Sequence, residues 1–97
     1  MVIEIKKNAE ETMIEIVGRL DTTTAPVLEA TINENVAGVK NLVLDMKGLE
    51  YVSSAGLRVL LAMHKKMKGA LKLKNVCELV MEVFDITGFL DIFNVEQ

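Results

Sequence analysis

Two adjacent hydroxyls, Ser53 and Ser54, stand just ahead of an apolar run with helical spacing, Ala55-Gly56-Leu57-Arg58-Val59-Leu60-Leu61. A serine oxygen there can accept an orphan backbone N–H of the first helical turn, which makes it an N-cap signal. The same position suits a phosphate, because the free N–H groups and the positive end of the helix dipole both favour negative charge. A second polar group, Asp21-Thr22-Thr23-Thr24, precedes another helical pattern and reads by default as a loop leading into a capped helix. Each group follows a strand pattern, and loops at the C-terminal ends of parallel strands are where α/β sheets carry sites. On these residues alone a plain cap is the favoured reading of the serine pair, with a chemical switch as the alternative.

Other chemistries fit the spacing less well. Ser54, the sole histidine His64 and an aspartate supply the residue types of a catalytic triad. Ten residues of helix would hold Ser54 and His64 about 15 Å apart, beyond hydrogen-bond reach. One His and one Cys among scattered carboxylates give no metal-ligand spacing. Neither the P-loop nor the dinucleotide-binding glycine pattern occurs, so no cofactor is expected. The six methionines read as core filler.

The elements that must position the serines follow from periodicity. Val2-Ile3-Glu4-Ile5-Lys6 and Thr12-Met13-Ile14-Glu15-Ile16-Val17-Gly18 read as strands, joined by a turn at Asn8-Ala9-Glu10-Glu11 into an antiparallel hairpin. Thr24 is the expected cap of a first helix, with Pro26 in its first turn, Leu28, Ile32 and Val36 on one face, and Gly38 at its end. Asn41-Leu42-Val43-Leu44-Asp45 reads as a strand buried on both faces, with Met46 to Glu50 as a connection. The second helix spans about Ser54 to Met67, with Leu57, Leu60, Leu61 and His64 inward and Arg58, Lys65 and Lys66 toward water. Leu71 to Val76 reads as a strand, and Glu78 to Thr87 as a helix with Val80, Val83 and Phe84 inward, stopped by Gly88. Phe89-Leu90-Asp91-Ile92-Phe93 reads as a short apolar closing segment. The expected order β-β-α-β-α-β-α implies one α/β domain over residues 1–97: a mainly parallel sheet, an N-terminal antiparallel strand and helices packed on it.

Composition narrows the function classes. Eleven Lys plus Arg against fourteen Asp plus Glu give a formal net charge of -3, which argues against nucleic-acid binding. The single Cys77 excludes an internal disulfide and fits a reducing compartment. No apolar run approaches the roughly 18 residues of a membrane span, and the N-terminal residues alternate rather than form a signal peptide. A cytoplasmic protein without a membrane partner is expected.

Taken together, the residues resemble a known family. Gly18-Arg19-Leu20-Asp21-Thr22 before a Pro-containing helix, Leu42-Val43-Leu44-Asp45, and Tyr51-Val52-Ser53-Ser54-Ala55-Gly56-Leu57-Arg58-Val59-Leu60-Leu61 are similar to a STAS domain. The stand-alone bacterial anti-sigma factor antagonists are the specific resemblance, and Val83 to Phe93 is also family-like. The resemblance implies a binding protein rather than an enzyme, working by partner switching. Its partners would be an anti-sigma factor that is also a serine kinase of the GHKL type and a phosphatase of the PP2C type. The kinase would phosphorylate a serine at the helix start and release the antagonist. Many members read Asp-Ser-Ser/Thr-Gly-Leu where this chain has Ser53-Ser54-Ala55-Gly56-Leu57. Aligned on the glycine, Ser53 takes the acidic position and Ala55 a hydroxyl position. Ser54 is then the expected phosphoacceptor, with Ser53 as the alternative. Asp21, Thr22, Thr23, Ser53, Ser54, Ala55, Gly56 and Arg58 are the expected partner contacts. Asp21→Ala is expected to weaken binding with the thermal midpoint nearly unchanged. A constitutive scaffold or small-ligand module of the same fold is the alternative function.

Overall fold

The computed structural model describes residues 1–8 and 10–96; Ala9, expected in the first turn, and Gln97 lie outside them. The elements are β1 Val2–Lys7, β2 Glu11–Leu20, α1 Ala25–Asn35, β3 Asn41–Val52, α2 Ser54–Lys66, β4 Leu71–Lys74, α3 Glu78–Thr87, a 3-10 turn Phe89–Asp91 and β5 Asn94–Glu96. The strands form one sheet in the order β1-β2-β3-β4-β5. β1 runs antiparallel to β2, and the other neighbours are parallel. Asn8 closes the hairpin, its side-chain oxygen accepting from the N–H groups of Glu10 and Glu11 at 3.0 and 2.8 Å.

The two-residue period of the strands sends one face into the core. Ile14 and Ile16 of β2, Leu42 and Leu44 of β3, and Leu71 and Leu73 of β4 join a cluster with Leu28 and Ile32 of α1, Leu60 and Met63 of α2, and Val80 and Phe84 of α3. All three helices therefore share that face of the sheet. Intervening residues such as Glu15, Asp45, Lys72 and Lys74 are only part-buried, whereas Val43 is buried.

β3 departs from the sequence reading. Met46 to Glu50 is strand, not connection, and β3 runs unbroken to Val52. Register shifts between Glu15 and Val17 and between Gly18 and Arg19 break the alternation, so Met46, Leu49 and Val52 are buried at three-residue spacing. A strict period of two cannot detect a strand that bulges. Gly48 belongs to this irregular stretch, since a Cβ there would lie 2.7 Å from Val17 Cγ2.

The buried side of α2 is also broader than spacing suggested. Gly56, Leu57, Val59, Leu60 and Met63 are buried, whereas Leu61 and His64 are half-buried. Gly88, at φ 83°, ends α3 in a left-handed conformation open to glycine without strain. The closing segment turns at Phe89–Asp91 and then adds β5 beside β4. Phe93 is held between Phe89, stacked at 5.3 Å, and Phe84, edge-on at 5.2 Å. Three residues with one apolar side chain leave no alternation from which β5 could be read.

Candidate functional site

The two polar loops meet on one rim. β2 ends at Leu20 and β3 at Val52, which are register partners, and the Ser53 N–H donates to the Leu20 carbonyl at 2.9 Å. Arg19 and Tyr51 are partners one step earlier, and the Arg19 guanidinium sits 4.2 Å from the Tyr51 ring centroid. This cation–π contact clamps the loop starts together. The motif residues Gly18 to Asp21 and Tyr51 to Ser54 are thus neighbours through strand pairing.

Asp21 is the cap of the first loop. Its Oδ1 accepts from the Thr23 hydroxyl at 2.9 Å and from the Thr23 and Thr24 N–H groups at 3.0 and 3.1 Å. These bonds, the Thr23 hydroxyl foremost, hold the Asp21 carboxyl below its ordinary 3.8. The Thr24 hydroxyl faces backward, accepting from the Asp21 N–H at 2.8 Å and donating to the Arg19 carbonyl at 2.7 Å. Thr24 is the N-cap residue of α1, as the sequence predicts, but with its hydroxyl so engaged it makes no side-chain capping bond. Pro26, second in the helix, has no N–H to offer such a cap. Thr22 and Thr23 are exposed at the tip of the turn.

The second loop is simpler. Ser53 is extended, φ -97° and ψ 175°, and its Oγ accepts from the Gly56 N–H at 3.3 Å. Ser53 is the N-cap of α2, and Ser54 is its first residue. Ser54 is exposed, and its hydroxyl makes no hydrogen bond among the described residues. The N–H groups of Ser54 and Ala55 likewise find no acceptor among the described residues. The helix start thus presents a free hydroxyl beside two free donors at the positive end of the dipole.

Gly56 is buried and holds the helix against the rim. A Cβ there would stand 2.7 Å from Leu20 Cγ and 2.9 Å from Val52 Cγ2. Its part in the site is close packing rather than surface contact, because nothing of it projects. Ala55 is half-buried and Arg58 exposed. Arg58 makes no ion pair among the described residues.

A groove of about 490 Å³ runs between the starts of α1 and α2, lined in part by Thr22, Pro26 and Glu29 on one side and Ala55 and Arg58 on the other. The sequence reading missed Pro26 and Glu29 as site residues. Their three-residue spacing puts them on one face of α1, but only the packing of α1 beside α2 brings that face to Ala55 and Arg58, so no local signal could have found them. His64 lies near the other end of α2, its ring edge-on to Phe93 at 6.0 Å. Ser54 and His64 are in one continuous helix and cannot meet. Among the described residues no three His, Cys, Asp or Glu side chains cluster, and no helix is long and apolar enough to cross a membrane.

Comparison with known proteins places this rim in context. The STAS domain family model matches residues 2–97. The chain is 33% identical over 96 residues to the anti-sigma-B factor antagonist of Bacillus subtilis, covering 96% of this chain and 88% of that one. It is 43% identical over 82 residues to BtrV of Bordetella bronchiseptica, covering 80% and 71%. Its fold is that of the Bacillus cell fate determinant SpoIIAA. The unphosphorylated form of that protein superposes with a TM-score of 0.81 at 18% identity, over 99% of this chain and 89% of that one. The phosphorylated form gives 0.73 at 17% identity, over 99% and 92%.

Proposed function

The chain belongs to the STAS domain family, and on that premise we propose that it is an anti-sigma factor antagonist whose partner binding is switched at Ser54. The observation that carries this reading is the exposed, unpartnered Ser54 hydroxyl at the start of α2, beside the groove. The partner is an anti-sigma factor that is also a GHKL-type serine kinase. It docks on the rim formed by Thr22, Thr23, Ala55 and Arg58, with Asp21 and Ser53 shaping that surface from behind. Ser54 Oγ attacks the γ-phosphorus of ATP held by the kinase. The new O–P bond forms as the bond to the β–γ bridging oxygen breaks, ADP leaves, and the serine proton passes to the kinase. A PP2C-type phosphatase returns the serine by hydrolysis. The protein is a substrate and binder acting in the cytoplasm, with no catalytic group of its own.

Physical chemistry supports the direction of the switch. A phosphate adds about 1.5 to 2 negative charges. On the domain itself, the free N–H groups and the dipole of α2 favour that charge. In the complex, a surface fitted to a neutral hydroxyl must desolvate a dianion. Ser53 is the poorer acceptor, because its oxygen already caps Gly56. Incubation with the cognate kinase and ATP, followed by intact mass and peptide mapping, tests the proposal. One phosphoryl group is expected on wild type and on Ser53→Ala, and none on Ser54→Ala. An unmodified wild-type chain that still binds its partner would instead favour a constitutive scaffold.

A further inference from the structure

Beyond the switch, another unpartnered feature among the described residues is a strand edge. β1 is an end strand of the sheet, and its outer edge pairs with nothing among the described residues. Every residue of β1 but Ile3 is exposed. Apolar side chains crowd this edge on both faces: Val2 is 57% exposed, its cross-strand partner Val17 47%, and Ile5 38%. Open edges of this kind invite another strand. We propose that β1 pairs antiparallel with β1 of a second copy of this chain, about a two-fold axis at Ile5.

The charges on β1 select both the partner and the register. A two-fold axis perpendicular to the sheet keeps each face continuous, so a residue must meet one of the same parity. Centred on Glu4, the pairing sets two Glu4 carboxylates against each other. Centred on Lys6, it opposes two Lys6 ammonium groups. Centred on Ile5, each Glu4 faces Lys6 of the other copy, Ile5 faces Ile5, and Ile3 lies under the stem of Lys7. Axes nearer either end shorten the ladder. Only the Ile5 register joins opposite charges and apolar groups at once, and direct cross-strand pairs are the unit of sheet stability. It also resolves a conflict inside the monomer. Glu4 stands directly across from Glu15, while Lys6 is bound to Glu15 at 2.8 Å. Glu4 has no ion pair among the described residues and gains a cation from the second copy.

The result is one continuous sheet of ten strands. Ser54 follows β3, two strands in from the new contact, so both rims stay open and one particle carries two sites. Such a particle binds bivalent targets with avidity that a single domain lacks.

Sedimentation equilibrium over a concentration series tests this on wild type, Glu4→Lys, Lys6→Glu and the double charge swap, with circular dichroism confirming that each is folded. Wild type should rise from the 10.7 kDa monomer toward twice that mass. Each single reversal should weaken the dimer by about tenfold or more, and the double swap should restore it. A wild type that stays monomeric at high concentration overturns the proposal. So do single variants that dimerise like wild type, or a folded double swap that does not recover.

Discussion

α1 and α2 begin side by side on one rim, and they begin differently. At α1 the polar groups satisfy one another: Asp21 accepts from Thr23 and Thr24, and Thr24 bonds back to Asp21 and Arg19. At α2 one bond, from the Gly56 N–H to Ser53, is the whole side-chain cap, and Ser54 stands free. A closed network stabilises a turn and leaves little to react with. A helix start with spare donors and a spare hydroxyl costs some stability and keeps a place for an anion. The difference separates a loop that shapes the surface from one that can be chemically changed.

The largest expected effect comes from the residue that seats α2 on the rim. Gly56→Ala must push its Cβ into Leu20 and Val52, both buried, and should destabilise the domain by about 2 kcal/mol in urea unfolding. A near-neutral result would mean that α2 can shift outward, and the two helix starts would not be held in fixed relation. Next comes Asp21. Because its carboxylate holds the turn, Asp21→Ala should lower the thermal midpoint at pH 7, contrary to the expectation from sequence that it would act on binding alone. The effect has a predictable pH dependence. The folded carboxyl is held below its ordinary 3.8, so its contribution is present above that value and is lost as pH falls through the folded pKa. The midpoint gap between wild type and variant should therefore be full at pH 7 and shrink below about pH 4. A gap that is constant with pH would mean that the carboxylate's charge plays no part in the turn.

The sequence made one of these starts legible and obscured the other. Ser53-Ser54 before an apolar helical run marks a cap, and the cap is there, because that signal is local and needs nothing beyond one turn of helix. Thr24 stands at the N-cap of α1 as expected, but the Asp21 network that engages its hydroxyl is not legible, since four polar residues in a row allow several bonding patterns and only the backbone turn selects one. The parallel order and the opening hairpin followed from periodicity. The long β3 did not, because its bulge breaks the period by which strands are recognised. The Arg19 contact with Tyr51 and the groove lined by Pro26 and Glu29 join residues distant in sequence. Pairing of β2 with β3 and the facing of α1 and α2 bring them together, and no local pattern encodes that.

The smallest effect on stability should discriminate best between the two serines. Ser53→Ala removes the oxygen that accepts from Gly56 and should cost about 1 kcal/mol, the ordinary loss of a serine cap. Ser54→Ala removes a hydroxyl with no partner from an exposed first-turn position, so chemical unfolding should detect at most about 0.5 kcal/mol. Binding to the unphosphorylated-state partner should survive both changes, since neither adds charge to the rim. The two alanine variants thus exchange their ranks between assays: Ser53 matters to the fold and Ser54 to the switch. Equal stability losses would mean that Ser54 also caps the helix. Its hydroxyl would then be engaged rather than free, and the contrast between a saturated and an open helix start would fail at the point where it bears on function.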